Sequence, residues 1–168
     1  MLLQKLYLAN ATETVDIRVT DGKFVAIAPQ LEALPGEEVV DCCAGKMVLP
    51  PFVESHVHLD TCLTAGRPHW NLSGTLFEGI HRWEEYKPFL TKQEVKDRVN
   101  KALRLQAGNG IQYVRTHVDI NDPELTALRA ILELREEVKD YIDIQIVAFP
   151  QYGILSYPNG KGLLEEAL

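Results

Sequence analysis

The stretch VLPPFVESHVHLD, residues 48–60, decides how the chain is read. It opens as an apolar extended run and ends in two histidines, His56 and His58, one residue apart. In a strand, residues two apart project to the same face. Both imidazoles are therefore predicted to enter one space, with Val57 turned to the opposite side. Neutral imidazole is a common metal ligand, and two of them supply half of a four-coordinate shell. A bare H-x-H pair is equally compatible with ordinary polar residues at a strand end, so its surroundings must decide.

Downstream, the pattern alternates between helix and strand. GTLFEGIHRWEEYK, residues 74–87, starts with a capping box from Thr75 to Glu78. TKQEVKDRVNKALRLQAGNG, residues 91–110, has a second box from Thr91 to Glu94. Its apolar residues Val95, Val99, Ala102 and Leu103 recur at helical spacing, and Gly108-Asn109-Gly110 ends it. IQYVRTHVD, residues 111–119, reads as a strand. DPELTALRAILELREEVKDY, residues 122–141, reads as a helix with Pro123 just inside its start. Leu125, Leu128, Ile131, Leu132 and Val138 are predicted on its buried face. IDIQIVAFPQ, residues 142–151, is a strand again, and KGLLEEAL, residues 161–168, opens a further helix. Strands alternating with helices predict a parallel sheet covered by helices. The histidine pair then lies at the C-terminal mouth of that sheet, where α/β active sites form.

Upstream the character differs. VDIRVTDG, residues 15–22, turns Val15, Ile17 and Val19 to one face, and Asp21-Gly22 marks a turn before KFVAIAP resumes the extended pattern. EEVVDCCAGKMVLP, residues 37–50, gives another short strand and a glycine turn. Residues 1–47 are thus expected to form a small β-subdomain, and residues 48–168 the βα unit.

Composition narrows the partners. Of 168 residues, 24 are acidic and 17 basic, a net charge of -7. That argues against a nucleic-acid backbone or an anionic membrane surface, both of which need basic protein. A small neutral or cationic substrate is compatible with it. The three cysteines, Cys42, Cys43 and Cys62, form no disulfide framework and no C-x-x-C zinc knuckle, which suits a reducing cytoplasm. The opening MLLQKLYLANATETVD lacks a basic segment followed by a long apolar one, so no signal peptide is expected. No run approaches the ~20 apolar residues of a membrane helix.

VLPPFVESHVHLD resembles the first-strand motif of the amidohydrolase superfamily, where a histidine pair ends the first strand of a metal-bearing (β/α)8 barrel. GTLFEGIHRWEEYK, AGNGIQYVRTHVDI and IDIQIVAFPQYGILSYPNG extend the resemblance to the bacterial cytosine deaminases of that superfamily. It is weakest over residues 1–46. It implies an incomplete (β/α)8 TIM barrel, its first three strands, preceded by a small β-sandwich subdomain. It implies that His56 and His58 bind a divalent metal, iron(II) or zinc. It matches Gln151 to a glutamine that reads the pyrimidine edge, since a carboxamide presents donor and acceptor side by side. Leu76 matches an apolar residue of the substrate pocket. His117, Asp60 and Asp119 are supporting candidates around the metal histidines, as carboxylates commonly fix metal-bound imidazoles. His69 and His81 are expected to be solvated or packed, and Trp70 and Trp83 to be packing residues.

The reaction implied is hydrolysis of cytosine to uracil and ammonia, with a small-molecule substrate and a homo-oligomeric enzyme. It differs from the deaminase design marked by H-x-E and P-C-x-x-C, neither of which occurs in the sequence. The third histidine ligand, catalytic glutamate and metal-binding aspartate of such enzymes lie on later strands, with no counterpart in residues 1–168. No catalytic acid or base is therefore assigned. The chain is expected to be an N-terminal piece, inactive alone, whose unclosed sheet self-associates or takes a complementary chain. A related alternative is a hydrolase of an aminotriazine of the isopropylammelide type or of another cyclic amidine, which shares RTHVD. FPQYGILSYPNG favours the cytosine reading.

Overall fold

In the computed structural model, which describes residues 1–168, the chain forms two units, Met1–Pro50 and Pro51–Leu168. The first is a single four-stranded sheet of β1 (Leu2–Leu8), β2 (Thr14–Thr20), β3 (Lys23–Ala28) and β4 (Val39–Val48), in the order β3-β2-β1-β4. It contains one sheet layer, not the two facing layers of a sandwich. Thr20 pairs with Lys23 across a two-residue turn in which Asp21 and Gly22 have φ of 50° and 71°. Two successive left-handed residues match the right-handed twist of a hairpin, which is why Asp-Gly serves there. The apolar side chains alternate as expected: Ile17 is buried, and Val15 and Val19 pack around it with Leu6 and Cys42.

The expected glycine turn in residues 37–50 is instead a bulge inside one strand. β4 runs parallel to β1, pairing Gln4 with Asp41 and then Leu6 with Lys46. The extra residues are absorbed where Cys43 and Ala44 take positive φ. Periodicity alone could not reveal this, because a bulge keeps the strand's direction while a turn reverses it.

The second unit contains β5 (Phe52–Val57), α1 (Leu76–Tyr86), α2 (Lys92–Gly108), β6 (Ile111–Asp119), α3 (Thr126–Val138), β7 (Asp143–Phe149) and α4 (Gly160–Ala167). The three strands are parallel and ordered β5-β6-β7. The fold is a mixed α/β one with four helices. Both threonine caps form: Thr75 and Thr91 accept the N–H groups of Glu78 and Glu94. The reciprocal half of each box does not. Glu78 instead takes the N–H groups of Leu72 and Ser73, and Glu94 is claimed by Arg98 and Tyr86.

α3 starts later than its sequence pattern predicts. Asp122 accepts the N–H groups of Glu124 and Thr126, and Leu125 adopts a left-handed φ of 48°. Residues 122–125 are thus an Asp-anchored turn with Pro123 outside the helix. Leu125, Leu128, Ile131 and Val138 are buried as expected, whereas Leu132 is exposed and Ala127, Ala130 and Leu134 fill the core.

α2 and α3 cover one face of the sheet. β6 has a period of two: Val114, Thr116 and Val118 are buried on the helix side, while Tyr113, Arg115 and His117 point the other way. No helix is long and apolar enough to cross a membrane.

Candidate active site

Three parallel strands bring three C-terminal ends to one edge. β5 delivers His56 and His58, β6 delivers His117 and Asp119, and the turn after β7 carries Gln151. Residues up to 95 positions apart in sequence meet there because each helix returns the chain to the same edge.

The two histidines of the opening motif do share a face. Their ring centroids are 5.5 Å apart. His117 joins them, stacked on His56 at 4.1 Å and 5.8 Å from His58. Phe149 meets the rings of His58 and His117 edge-on. Burial, reinforced by the neighbouring imidazoles, lowers the pKa of His58 and of His117. Both rings are therefore held in the neutral form, the form that ligates metals. The Nδ1 atom of His117 is buried without a hydrogen-bond partner. No three His, Cys, Asp or Glu side chains converge as a full ligand set. His117 lies alongside His56, ring on ring, so the chain presents a histidine pair with a third imidazole beside it. Such a nitrogen donor set suits zinc or iron(II), and a partnerless buried nitrogen among them fits a site meant to hold an ion.

The carboxylates divide the supporting work. Asp60 is wholly buried. It accepts the Asp119 N–H at 2.8 Å and the Thr61 N–H at 3.1 Å, and its Oδ1 lies 4.0 Å from His58 Nδ1. Burial pushes its pKa up to about 7 against the pull of those two N–H groups. Asp119 bonds to no histidine. Its Oδ2 accepts from Trp83 Nε1 at 2.9 Å and Lys87 Nζ at 3.1 Å, and its Oδ1 accepts the Asn121 N–H at 2.8 Å. Asp60 thus sits beneath a histidine, whereas Asp119 ties α1 to the sheet.

Beside the histidines is a cavity of about 540 Å³, within the size range of small-molecule sites. His58 and Gln151 line it, as do Leu76, Ile80 and Trp83 of α1. His69 and Trp70, both exposed, also line it from the loop before α1. His81 is on the outer side of α1, exposed and paired with Glu85. Sequence reasoning passed over Lys87, Asn121 and Arg98. Arg98 is buried on α2 and donates to the carbonyls of Leu59 and Cys62, holding the loop that follows the histidines. None of the three belongs to a short motif. The contacts that tie them to the strand ends and the following loops reach 31 to 39 residues along the chain, so no local spacing announces that role.

Comparison with known proteins adds to this geometry. A sequence model of the amidohydrolase family matches residues 38–167. The N-isopropylammelide isopropyl amidohydrolase of Pseudomonas sp. (strain ADP) is 30% identical over 173 residues, covering 100% of this chain and 42% of that protein. Among solved structures, 5-methylcytosine deaminase from Klebsiella pneumoniae, liganded with 5-fluorocytosine, superposes with a TM-score of 0.88 at 43% identity, covering 99% of this chain and 40% of that one. The N-isopropylammelide isopropylaminohydrolase of Burkholderia multivorans gives a TM-score of 0.76 at 29% identity, covering 99% and 41%. The chain therefore spans about two-fifths of the length of these relatives.

Proposed function

The chain belongs to the amidohydrolase family, and on that premise we propose that it is the N-terminal part of a cytosine-type deaminase, a cytoplasmic hydrolase that converts cytosine to uracil and ammonia. In this reading the second unit supplies the first three strands of a (β/α)8 barrel. The first unit is part of an accompanying β-sandwich. The observation that carries the reading is that His58 and Gln151, from different strand ends, line one cavity.

His56 and His58 would hold a divalent ion, iron(II) or zinc. When bound, such an ion supplies a water activated near neutral pH, its pKa brought to about 7. Every other contribution is made by side chains. Asp60 supports the His58 ring from below. The Gln151 carboxamide offers adjacent donor and acceptor to the ring edge of the base. Leu76, Ile80 and Trp83 wall the cavity and keep bulk water from the ring. The acid that protonates the ring nitrogen and the remaining ligands are assigned to further strands, outside these 168 residues. Water adds to the amino-bearing carbon, ammonia departs, and the carbonyl of uracil replaces the amine.

The greater identity to the 5-methylcytosine deaminase, 43% against 29% for the Burkholderia triazine enzyme, supports a cytosine-type base. A second reading, hydrolysis of an aminotriazine, is favoured by the 30% identity to the Pseudomonas enzyme across the whole chain. The test compares cytosine, 5-methylcytosine and N-isopropylammelide as substrates. The 168-residue chain and a version completed with the remaining strands are each supplied with iron(II) or zinc. Ammonia release from the pyrimidines by the completed enzyme alone is the expected result. A clear preference for the triazine overturns the substrate. Cytosine turnover by the short chain, abolished by His56→Ala, overturns the assignment of the acid to further strands.

A further inference from the structure

The turn that carries Gln151 is held by very little of its own. Pro150 to Gly153 is closed by one bond, the Gly153 N–H to the Pro150 carbonyl at 2.8 Å. Such a turn leaves the N–H groups of its two central residues, Gln151 and Tyr152, without partners inside it. The second is taken by Asn121, whose Oδ1 accepts the Tyr152 N–H at 2.6 Å. Asn121 is in turn gripped from α1's end. Lys87 Nζ donates to the Asn121 carbonyl at 2.9 Å, to Asp119 Oδ2 at 3.1 Å and to the Glu84 carboxylate. The same ammonium lies 5.3 Å from the centre of the Tyr152 ring.

We propose that Lys87 is a positioning residue for Gln151, acting through Asn121 and Tyr152. A nearly buried ammonium joins α1, the end of β6 and the turn after β7 in one cluster. α1 carries Trp83 and Ile80, which wall the cavity, and the turn carries the amide that meets the substrate. The wall and the amide are thus set against each other by a single cation. The Lys87 stem alone would not do this: the ammonium spends its three N–H bonds on Glu84 of α1 and on Asp119 and Asn121 at the end of β6, and meets the turn itself through the Tyr152 ring. An apolar replacement leaves Asp119 and Glu84 without their shared counter-charge and frees the turn to shift. The inference rests on Gln151 being the base-reading residue.

The test uses the completed, metal-loaded enzyme with Lys87→Met, which keeps the stem and removes the charge. Exchange of the Tyr152 amide is expected to accelerate about tenfold or more, while the Ile120 amide, bonded to the Phe149 carbonyl, stays protected. KM for cytosine should rise about tenfold with kcat within a factor of about three and metal content unchanged. Adding Gln151→Ala to Lys87→Met should cost little beyond Gln151→Ala alone, because both act on one contact. If Lys87→Met does not fold, Asn121→Ala should give the same signature from the other end of the link. An unchanged Tyr152 exchange rate, or kinetic effects that multiply in the double variant, overturns the proposal. If the unsubstituted enzyme turns over none of the bases, the functional reading has failed, and the exchange rates alone decide whether Lys87 holds the turn.

Discussion

The two faces of the β5-β6-β7 sheet are built from the same strands and do different things. On one, Val114, Val118 and Ile144 are buried beneath α2 and α3 with Val99, Leu103, Ile131 and Leu134. On the other, Tyr113 and Val53 are exposed, Arg115 donates to Gln145, and His56 and His117 stack at the upper end. Within β6, alternate residues belong to stability and to chemistry. The covered face tolerates only volume-conserving change, since close-packed interiors pay for every lost methylene. The open face carries polar groups that, in the function proposed above, meet an ion, a base or other segments, so its substitutions are expected to act on function.

That contrast can be broken, most sharply through the histidines. With His58→Ala, ammonia release by the completed enzyme is expected to fall by more than about 100-fold, exceeding the loss seen when a metal's outer support is removed. Bound metal should fall with it while the melting temperature holds. Retention of metal in that variant would remove the open face from the metal site. Ile131→Ala belongs to the covered face and should cost about 2–5 kcal/mol in urea titration, with KM for cytosine unchanged. A large change in KM there would show that the two faces are not separable. Gln151→Ala should lose about 1–3 kcal/mol of substrate binding, read as a raised KM, at unchanged stability.

The smallest expected effect is on pH. Hydrogen bonds from Ser73, with those from Arg82 and Leu72, hold Glu78 down at about 2, below its ordinary 4.5. A depressed carboxylate stabilises the fold above its ordinary value, and that contribution is lost as pH falls through the folded value. Acidification from about 4.5 towards 2 should therefore loosen the loop before α1 and alter Trp70 fluorescence before helical circular dichroism declines. The same acidification of Glu78→Gln should show no such early phase.

Legibility followed distance along the chain. The Asp21-Gly22 hairpin, the threonine caps and the strand-helix alternation all rest on contacts within a few residues, and all appear in the structure. The α3 start is not legible because Asp122 anchors a turn that mimics a helix's first residues, and the exposure of Leu132 is not legible because a helical stripe drifts around its axis. The β4 bulge looks like a turn in the sequence because only pairing with β1 distinguishes the two. In the site, His56 and His58 were legible as a pair by the two-residue period of a strand. Gln151 and Leu76 came from the resemblance. The role of Asp119 as an anchor for Trp83 and Lys87 was not legible, because its partners lie 36 and 32 residues away.

What the sequence determined by itself is the class of the chain: an α/β unit of amidohydrolase type with a histidine pair at a strand end. Periodicity and capping are local, and backbone sterics enforce them without reference to the rest of the molecule. What only the tertiary structure decided is which groups meet. The stacking of His117 on His56, the burial of Asp60 beneath His58 and the link from Lys87 through Asn121 to the Tyr152 N–H follow from three parallel strands laid in register. Side-chain chemistry falls off within a few ångströms, so residues far apart in sequence acquire a joint function only where the sheet brings them within that range.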